Sequence, residues 1–255
     1  MLSNSQQKFL TALQVKKYRQ KYRNFTVEGS KMVTELLQQQ RVPVLAVYAL
    51  ERWAEENAAL LAPLYDKFNP VSEAELRKIS ALSTPNAVLA VAGIPEDAPP
   101  RWAPDRYAFY LDGIRDPGNL GTILRIADWF GMPAVFCSAD CADAFSPKVV
   151  QASMGAIFRV ATAEMPLEQL LNTTPALPVV GAMLDGENLF SCTLPPSGLL
   201  VIGNEGNGIR PEVAACLTRR LTIPRGPGSG AESLNASVAA GILAAFATGQ
   251  KNALS

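Results

Sequence analysis

Three stretches of this sequence hold side chains that folding alone does not call for. The first runs from Leu111 to Gly121, where Gly113, Pro117, Gly118 and Gly121 shape a tight turn into a helix. Asn119 lies near that helix's N-terminus, where an oxygen caps free N–H groups. Arg125 follows six residues later, so the two side chains stand on broadly adjacent faces. Flanked by Leu124, Ile126 and Ala127, this arginine must snorkel, pair or serve a site. The second stretch is the apolar run Leu199–Ile202 opening into Gly203, Asn204, Glu205, Gly206, Asn207 and Gly208. Closely spaced glycines let a backbone approach a ligand, and a turn has no need of the carboxylate of Glu205. The third runs from Leu221 to Val238 and ends in Ser233 and Asn235 at the start of an apolar helix. One of that pair suffices as a cap, which leaves the other for a ligand or catalytic contact.

What is missing narrows the chemistry. The second loop matches neither G-x-G-x-x-G nor G-x-x-x-x-G-K-[ST], which disfavours a dinucleotide or P-loop site. The 255 residues include no histidine, so the usual general base and every Ser-His or Cys-His nucleophile are excluded. Cys137, Cys141, Cys192 and Cys216 form no C-x-x-C pair and read as free thiols, and no metal site is expected. Net charge is zero, but its distribution is uneven. Residues 1–41 hold eight basic side chains against two acidic ones, a segment charge of +6 that leaves −6 on the rest. One basic end suits contact with RNA phosphates through Lys16, Lys17, Arg19, Lys21 and Arg23, although a solvated basic helix face reads the same way. The N-terminus lacks the apolar core of a secretory signal, and the longest apolar stretch near the C-terminus, Ser237–Thr248, is too short to span a bilayer. A cytoplasmic protein without membrane contact is expected.

The elements that must position these loops fall into two groups. Residues 1–94 read as a small α/β domain: a helix over Gln6–Tyr22, a strand at Phe25–Val27, a helix over Gly29–Gln39, a strand at Leu45–Ala49, helices over Trp53–Leu61 and Ser72–Ser80, and a strand at Val88–Val91. Ser72 followed by Glu75 has the spacing of a capping box. Residues 95–105, rich in proline, form a linker. From 106 to 255, short apolar strands alternate with helical patterns, which predicts an α/β domain with a mostly parallel sheet covered on both faces. Ligands of such sheets sit beyond the carboxyl ends of the strands, where the three loops fall.

At these loops the sequence resembles the SpoU (TrmH) class of the SPOUT superfamily of RNA methyltransferases. The family's first motif is matched by Asn119, Gly121 and Arg125, its second by Gly203, Glu205, Gly206 and Gly208, and its third by Ile223, Pro224, Ser233, Leu234, Asn235, Ser237 and Val238. All three stand in the family's order, across roughly Tyr107–Phe246. The first domain resembles the family's ribosomal-protein-like, RNA-binding substrate module, through Lys16–Lys21, Phe25–Gly29 and Ser83–Asn86.

The resemblance implies a trefoil-knotted domain and transfer of methyl from S-adenosyl-L-methionine to a ribose 2′-hydroxyl of RNA. It further implies a homodimer with its site at the subunit interface. It assigns Asn119, Arg125, Glu205, Ser233 and Asn235 to catalysis, and Met183, Gly203, Asn204, Glu205, Gly206, Ile223 and Leu234 to the cofactor. Arg115 joins the five cations of the N-terminal segment as an RNA contact. The extra N-terminal module favours ribosomal over transfer RNA. The rival readings are a transfer RNA enzyme, a non-catalytic RNA-binding or ribosome assembly factor, and a metabolic enzyme with another adenine nucleotide.

Overall fold

Apolar strands alternating with amphipathic helices build two separate sheets. The computed structural model describes residues 2–39, 41–95, 105–174 and 176–253, so residues 96–104 of the proline-rich linker lie outside the described residues. By packing, the chain divides into two units: Met1–Asp97 with Asp143–Phe158, and Ala98–Ala142 with Arg159–Ser255.

The first unit opens with α1 (Asn4–Ala12) and α2 (Lys16–Tyr22), where the sequence predicts one helix. The break falls at Val15, a β-branched residue in extended conformation (φ −107°, ψ 130°), just after the fully buried Leu13. Then follow β1 (Asn24–Glu28), α3 (Ser30–Gln39), β2 (Val44–Ala49), α4 (Glu51–Glu56), α5 (Ala58–Leu61), β3 (Phe68–Pro70), α6 (Glu73–Ile79) and β4 (Val88–Gly93). The sheet order is β1-β4-β2-β3, with β4 antiparallel to both neighbours and β3 parallel to β2. Strand β3, only three residues ending in proline at a sheet edge, has no pattern that sequence reading detects.

The expected capping box starts α6. The Ser72 hydroxyl accepts the Glu75 N–H at 3.3 Å, and the Glu75 carboxylate accepts the Ser72 N–H at 2.9 Å. That N–H, and next the Leu2 N–H, hold the Glu75 carboxyl down at about 2 against an ordinary 4.5. Because the folded-state pKa is depressed, this stabilisation is complete above pH 4.5 and is lost as the pH falls through about 2. Ser72→Pro, which removes the leading N–H donor, is expected to return the Glu75 titration toward 4.5, followed by NMR of the side-chain carboxyl; an unmoved midpoint would contradict the assignment.

The remaining elements are β5 (Tyr107–Asp112), α7 (Pro117–Trp129), β6 (Ala134–Cys137), α8 (Pro147–Ser153), β7 (Ala161–Glu164), α9 (Leu167–Thr173), β8 (Val179–Asn188), β9 (Gly198–Gly203), α10 (Pro211–Ala214), β10 (Arg219–Thr222) and α11 (Ala236–Ala253). Helix α8 belongs to the first unit, although the sequence reading counts residues 143–158 with the second domain. Its Val149 and Val150 are buried, it packs on β1, and Phe145 lies 5.0 Å from Phe25 ring to ring.

The second sheet has the order β10-β8-β9-β5-β6-β7, and every pairing is parallel. All six residues of β5 and the first five of β9 are buried, as strands covered on both faces require. Edge strand β7 (Ala-Thr-Ala-Glu) is half exposed and lacks the apolar run by which its inner neighbours are recognised. In the centre β5 pairs with β9 so that Asp112 stands opposite Gly203. That register brings the loops leaving both strands to the same end of the sheet.

Candidate active site

The first loop turns at Gly113, whose φ of +69° favours glycine, and enters α7 through Asp116. Asp116 is the cap: its carboxylate accepts the Asn119 N–H at 2.8 Å, with Pro117 in the first helical turn. The capping role that the sequence suggests for Asn119 is thus filled three residues earlier, and the Asn119 amide faces the other loops. Its Nδ2 donates to Oε1 of Glu205 in a short hydrogen bond, and its Oδ1 accepts from Nδ2 of Asn235 at 2.9 Å. A chain Glu205–Asn119–Asn235 therefore ties together three loops far apart in sequence.

The second loop is a tight hairpin closed by reciprocal bonds between Asn204 and Gly208, at 3.1 and 2.9 Å. A Cβ on Gly203 would lie 2.4 Å from the Gly208 carbonyl carbon and the Ile209 nitrogen, so only glycine fits. The Asn204 side chain is consumed by the loop itself. It donates to the Gly113 carbonyl at 2.9 Å and accepts from the N–H groups of Gly206 and Asn207 at 2.9 and 3.2 Å. Glu205 is thereby set on a rigid turn.

The third loop ends at Asn235, which caps α11: its Oδ1 accepts from the Ser237 N–H and hydroxyl at 3.0 and 2.6 Å and from the Val238 N–H at 3.3 Å. Asn235 thus both caps and bonds Asn119. Ser233 is exposed and has no side-chain hydrogen-bond partner among the described residues. Arg125 is likewise exposed on α7, its side chain without an ion pair or hydrogen bond among the described residues, and does not join the Glu205–Asn119–Asn235 chain. Of the five residues expected in catalysis, the structure links three. Among the cofactor candidates, Met183 is half buried against the core that includes Tyr110, Phe136 and Val201, Ile223 is half buried, and Leu234 is 44% exposed.

Of the expected RNA contacts, Lys17 and Lys21 are exposed and Lys16 half buried, Arg115 is exposed beside Asp140 at 3.3 Å, and Arg23 donates to the Pro95 carbonyl. Arg19 does not fit the expectation. It is 3% exposed, and its guanidinium donates to the Leu13 carbonyl at 2.7 Å and to Asp143 at 2.9 and 2.6 Å. Buried and bonded through all three of its nitrogens, this arginine is a structural strut rather than a surface cation for phosphate.

Sequence reading passes over the pair that anchors the second loop. Asp112, buried at the end of β5, accepts from the Arg210 backbone N–H and Nε, both at 2.7 Å, and from its Nη2. Hydrogen bonding to Asp112 raises the Arg210 pKa. An aspartate closing an otherwise apolar strand was the available signal; its partner stands 98 residues away. Removing one member of a buried pair costs about 3–5 kcal/mol. Arg210 is 40% exposed and keeps Asp140 at 3.4 Å and Glu212 at 3.7 Å, so Asp112→Ala is expected to cost less, about 1–3 kcal/mol by urea unfolding. A loss below about 1 kcal/mol would show that the pair does not hold the loop.

The SpoU rRNA Methylase family model matches residues 106–245, and the MRM3-like substrate binding domain model matches residues 4–90. The 23S rRNA (guanosine(2553)-2′-O)-methyltransferase RlmP of Bacillus subtilis is 30% identical over 238 residues, which cover 91% of each chain. Among solved structures, a TrmH-family protein of Porphyromonas gingivalis superposes with a TM-score of 0.83 at 40% identity, covering 96% of this chain and 98% of its own. An AdoMet-bound rRNA methyltransferase of Sinorhizobium meliloti superposes with a TM-score of 0.84 at 28% identity, covering 97% and 95%. The three-loop site at the carboxyl ends of a parallel sheet is the one this kinship implies: the chain belongs to the SpoU rRNA methylase family of S-adenosylmethionine-dependent methyltransferases.

Proposed function

We propose that this protein methylates a ribose 2′-hydroxyl of ribosomal RNA as a cytoplasmic homodimer, with S-adenosylmethionine as methyl donor. The observation that carries this reading is the hydrogen-bond chain Glu205–Asn119–Asn235 across three loops at one end of the sheet. Residues 1–94 then serve as substrate-binding domain and 106–255 as methyltransferase domain, joined by 95–105. Among the described residues no helix is long and apolar enough to cross a membrane.

The residues present fit the cofactor. The backbone N–H and C=O groups of Ile223 and Leu234 have no hydrogen-bond partner among the described residues. Leu234 holds apolar surface in solvent, and Gly226, Gly228 and Gly230 leave open space where a Cβ would stand. Free backbone polar groups beside exposed apolar surface suit a nucleoside. Gly203, Asn204, Glu205, Gly206, Ile223 and Leu234 would hold it, with Met183 behind them, and the knot would be formed by the second and third loops. When bound, the cofactor supplies an electrophilic methyl on its sulfonium.

The protein's task is then to place the ribose oxygen and stabilise the charge it develops. Arg125 performs the second task as a permanent cation, because a guanidinium gives up its proton too reluctantly to serve as a base near neutral pH. Asn119, Glu205, Ser233 and Asn235 orient the ribose and cofactor. The dimer is supported by the face that α7 leaves bare: Trp129, four residues after Arg125, is 84% exposed, and Val238 on the neighbouring α11 is also exposed. A second copy on that face would carry one subunit's Arg125 toward the other's loops. Ribosomal RNA is favoured by the substrate-binding domain and by the named target of the Bacillus relative.

The test is transfer of labelled methyl to ribosomal and transfer RNA stripped of modifications. Label is expected in the ribosomal pool; label in transfer RNA alone would reassign the substrate. No label in either pool, together with no cofactor binding, would leave a non-catalytic RNA-binding protein.

A further inference from the structure

Helix α2 is amphipathic in an unusual sense. Its inward side presents a charge, the buried Arg19, while its outward side presents Tyr18 and Tyr22 one turn apart, with the exposed Val15 just ahead of the helix. Tyr18 is 37% and Tyr22 41% exposed. Their rings lie nearly parallel, 14° apart in plane with centroids 6.3 Å apart. Phe9 packs edge-on against Tyr22 at 5.2 Å and fixes it from behind. The Lys21 ammonium stands 5.3 Å from the Tyr22 ring centre, and Lys17 is exposed one turn before it.

A solvated basic face has no use for two aligned aromatic rings. A surface built to dock another protein is depleted of lysine at its centre. Aromatic faces interleaved with lysines suit a polyanion whose unpaired bases need a flat apolar partner. We propose that Tyr18 and Tyr22, flanked by Lys17 and Lys21, form a stacking platform for one or two unpaired nucleobases of the RNA substrate. The proposal rests on the reading of this protein as an RNA enzyme, and it adds single-strandedness to the substrate: the tyrosines grip bases, the lysines the flanking phosphates.

The experiment uses the full chain with a short single-stranded RNA containing 2-aminopurine, and the same strand fully paired, across a range of salt concentrations. Wild-type protein is expected to quench 2-aminopurine fluorescence in the single strand. Tyr18→Ala should weaken binding of that strand on the order of 10-fold. It should abolish the quenching, with the salt slope and duplex binding unchanged. Tyr18→Phe, which keeps the ring, should bind as wild type, and Tyr18→Leu, which keeps only apolar bulk, as Tyr18→Ala. Lys17→Ala and Lys21→Ala should instead each flatten the salt slope by about 0.7. Unchanged affinity and quenching in Tyr18→Ala, or equal losses on single strand and duplex, would overturn the platform while leaving the methyltransferase reading intact. So would an altered sedimentation coefficient with unchanged RNA binding, which would mark a protein interface. If the wild-type protein binds neither probe nor ribosomal RNA, the RNA reading itself fails.

Discussion

Arg125→Ala is expected to lower the rate of methyl transfer at saturating RNA and cofactor by about 10²- to 10³-fold, the usual cost of removing one charge-stabilising donor. The protein should otherwise be indifferent to the change. The Arg125 side chain is exposed and makes no hydrogen bond or ion pair among the described residues, so its loss falls among surface substitutions worth within about 0.5 kcal/mol. Cofactor affinity should hold as well, because the second and third loops do not bond this side chain. Arg125→Lys keeps the charge without the planar fork and should recover part of the rate. Single-turnover transfer, cofactor binding and urea unfolding on the same preparations separate these effects. A fully active Arg125→Ala would remove this residue from the mechanism.

Gly203→Ala is expected to abolish measurable cofactor binding and to destabilise the second unit by about 1–3 kcal/mol, the range for overpacking. A methyl at this position meets backbone atoms of Gly208 and Ile209 at 2.4 Å, and backbone cannot rotate away as a side chain would. The hairpin must open, and the opening moves Glu205 off Asn119. Gly206→Ala is the control: the nearest atom to its added methyl is Asn204 Oδ1 at 3.5 Å, ordinary contact. That variant should unfold at the wild-type urea concentration while still losing cofactor affinity. Equal cofactor affinity in Gly203→Ala and wild type, by calorimetric titration, would contradict the assignment of this hairpin.

Local pattern revealed much of this molecule. The strands β5 and β9 are apolar throughout, the Ser72–Glu75 box is written within four residues, and the glycine spacing after β9 marks a loop that must come close to something. Glu205 was legible as a candidate because a turn needs no carboxylate, and Asn119 and Asn235 because each is a polar side chain in an unusual loop at the start of an apolar helix. Their bonding pattern was not, since Asp116 and Asn119 compete for one cap and only the three-dimensional arrangement decides between them. Long-range partners stayed hidden for the same reason. Arg19 reads as one more cation in a basic run until Asp143, 124 residues away, claims it, and Asp112 reads as a strand end until Arg210 closes on it. The segment 143–158 continues the α/β alternation in sequence yet packs with the first unit, because its valines and Phe145 are covered there.

The most direct test is the chemical position of the transferred methyl group. Ribosomal RNA labelled by the wild-type protein should, after complete alkaline hydrolysis, release its label in alkali-resistant dinucleotides, because a methylated 2′-oxygen cannot attack the adjoining phosphate. Label recovered in mononucleotides methylated on the base would contradict the account.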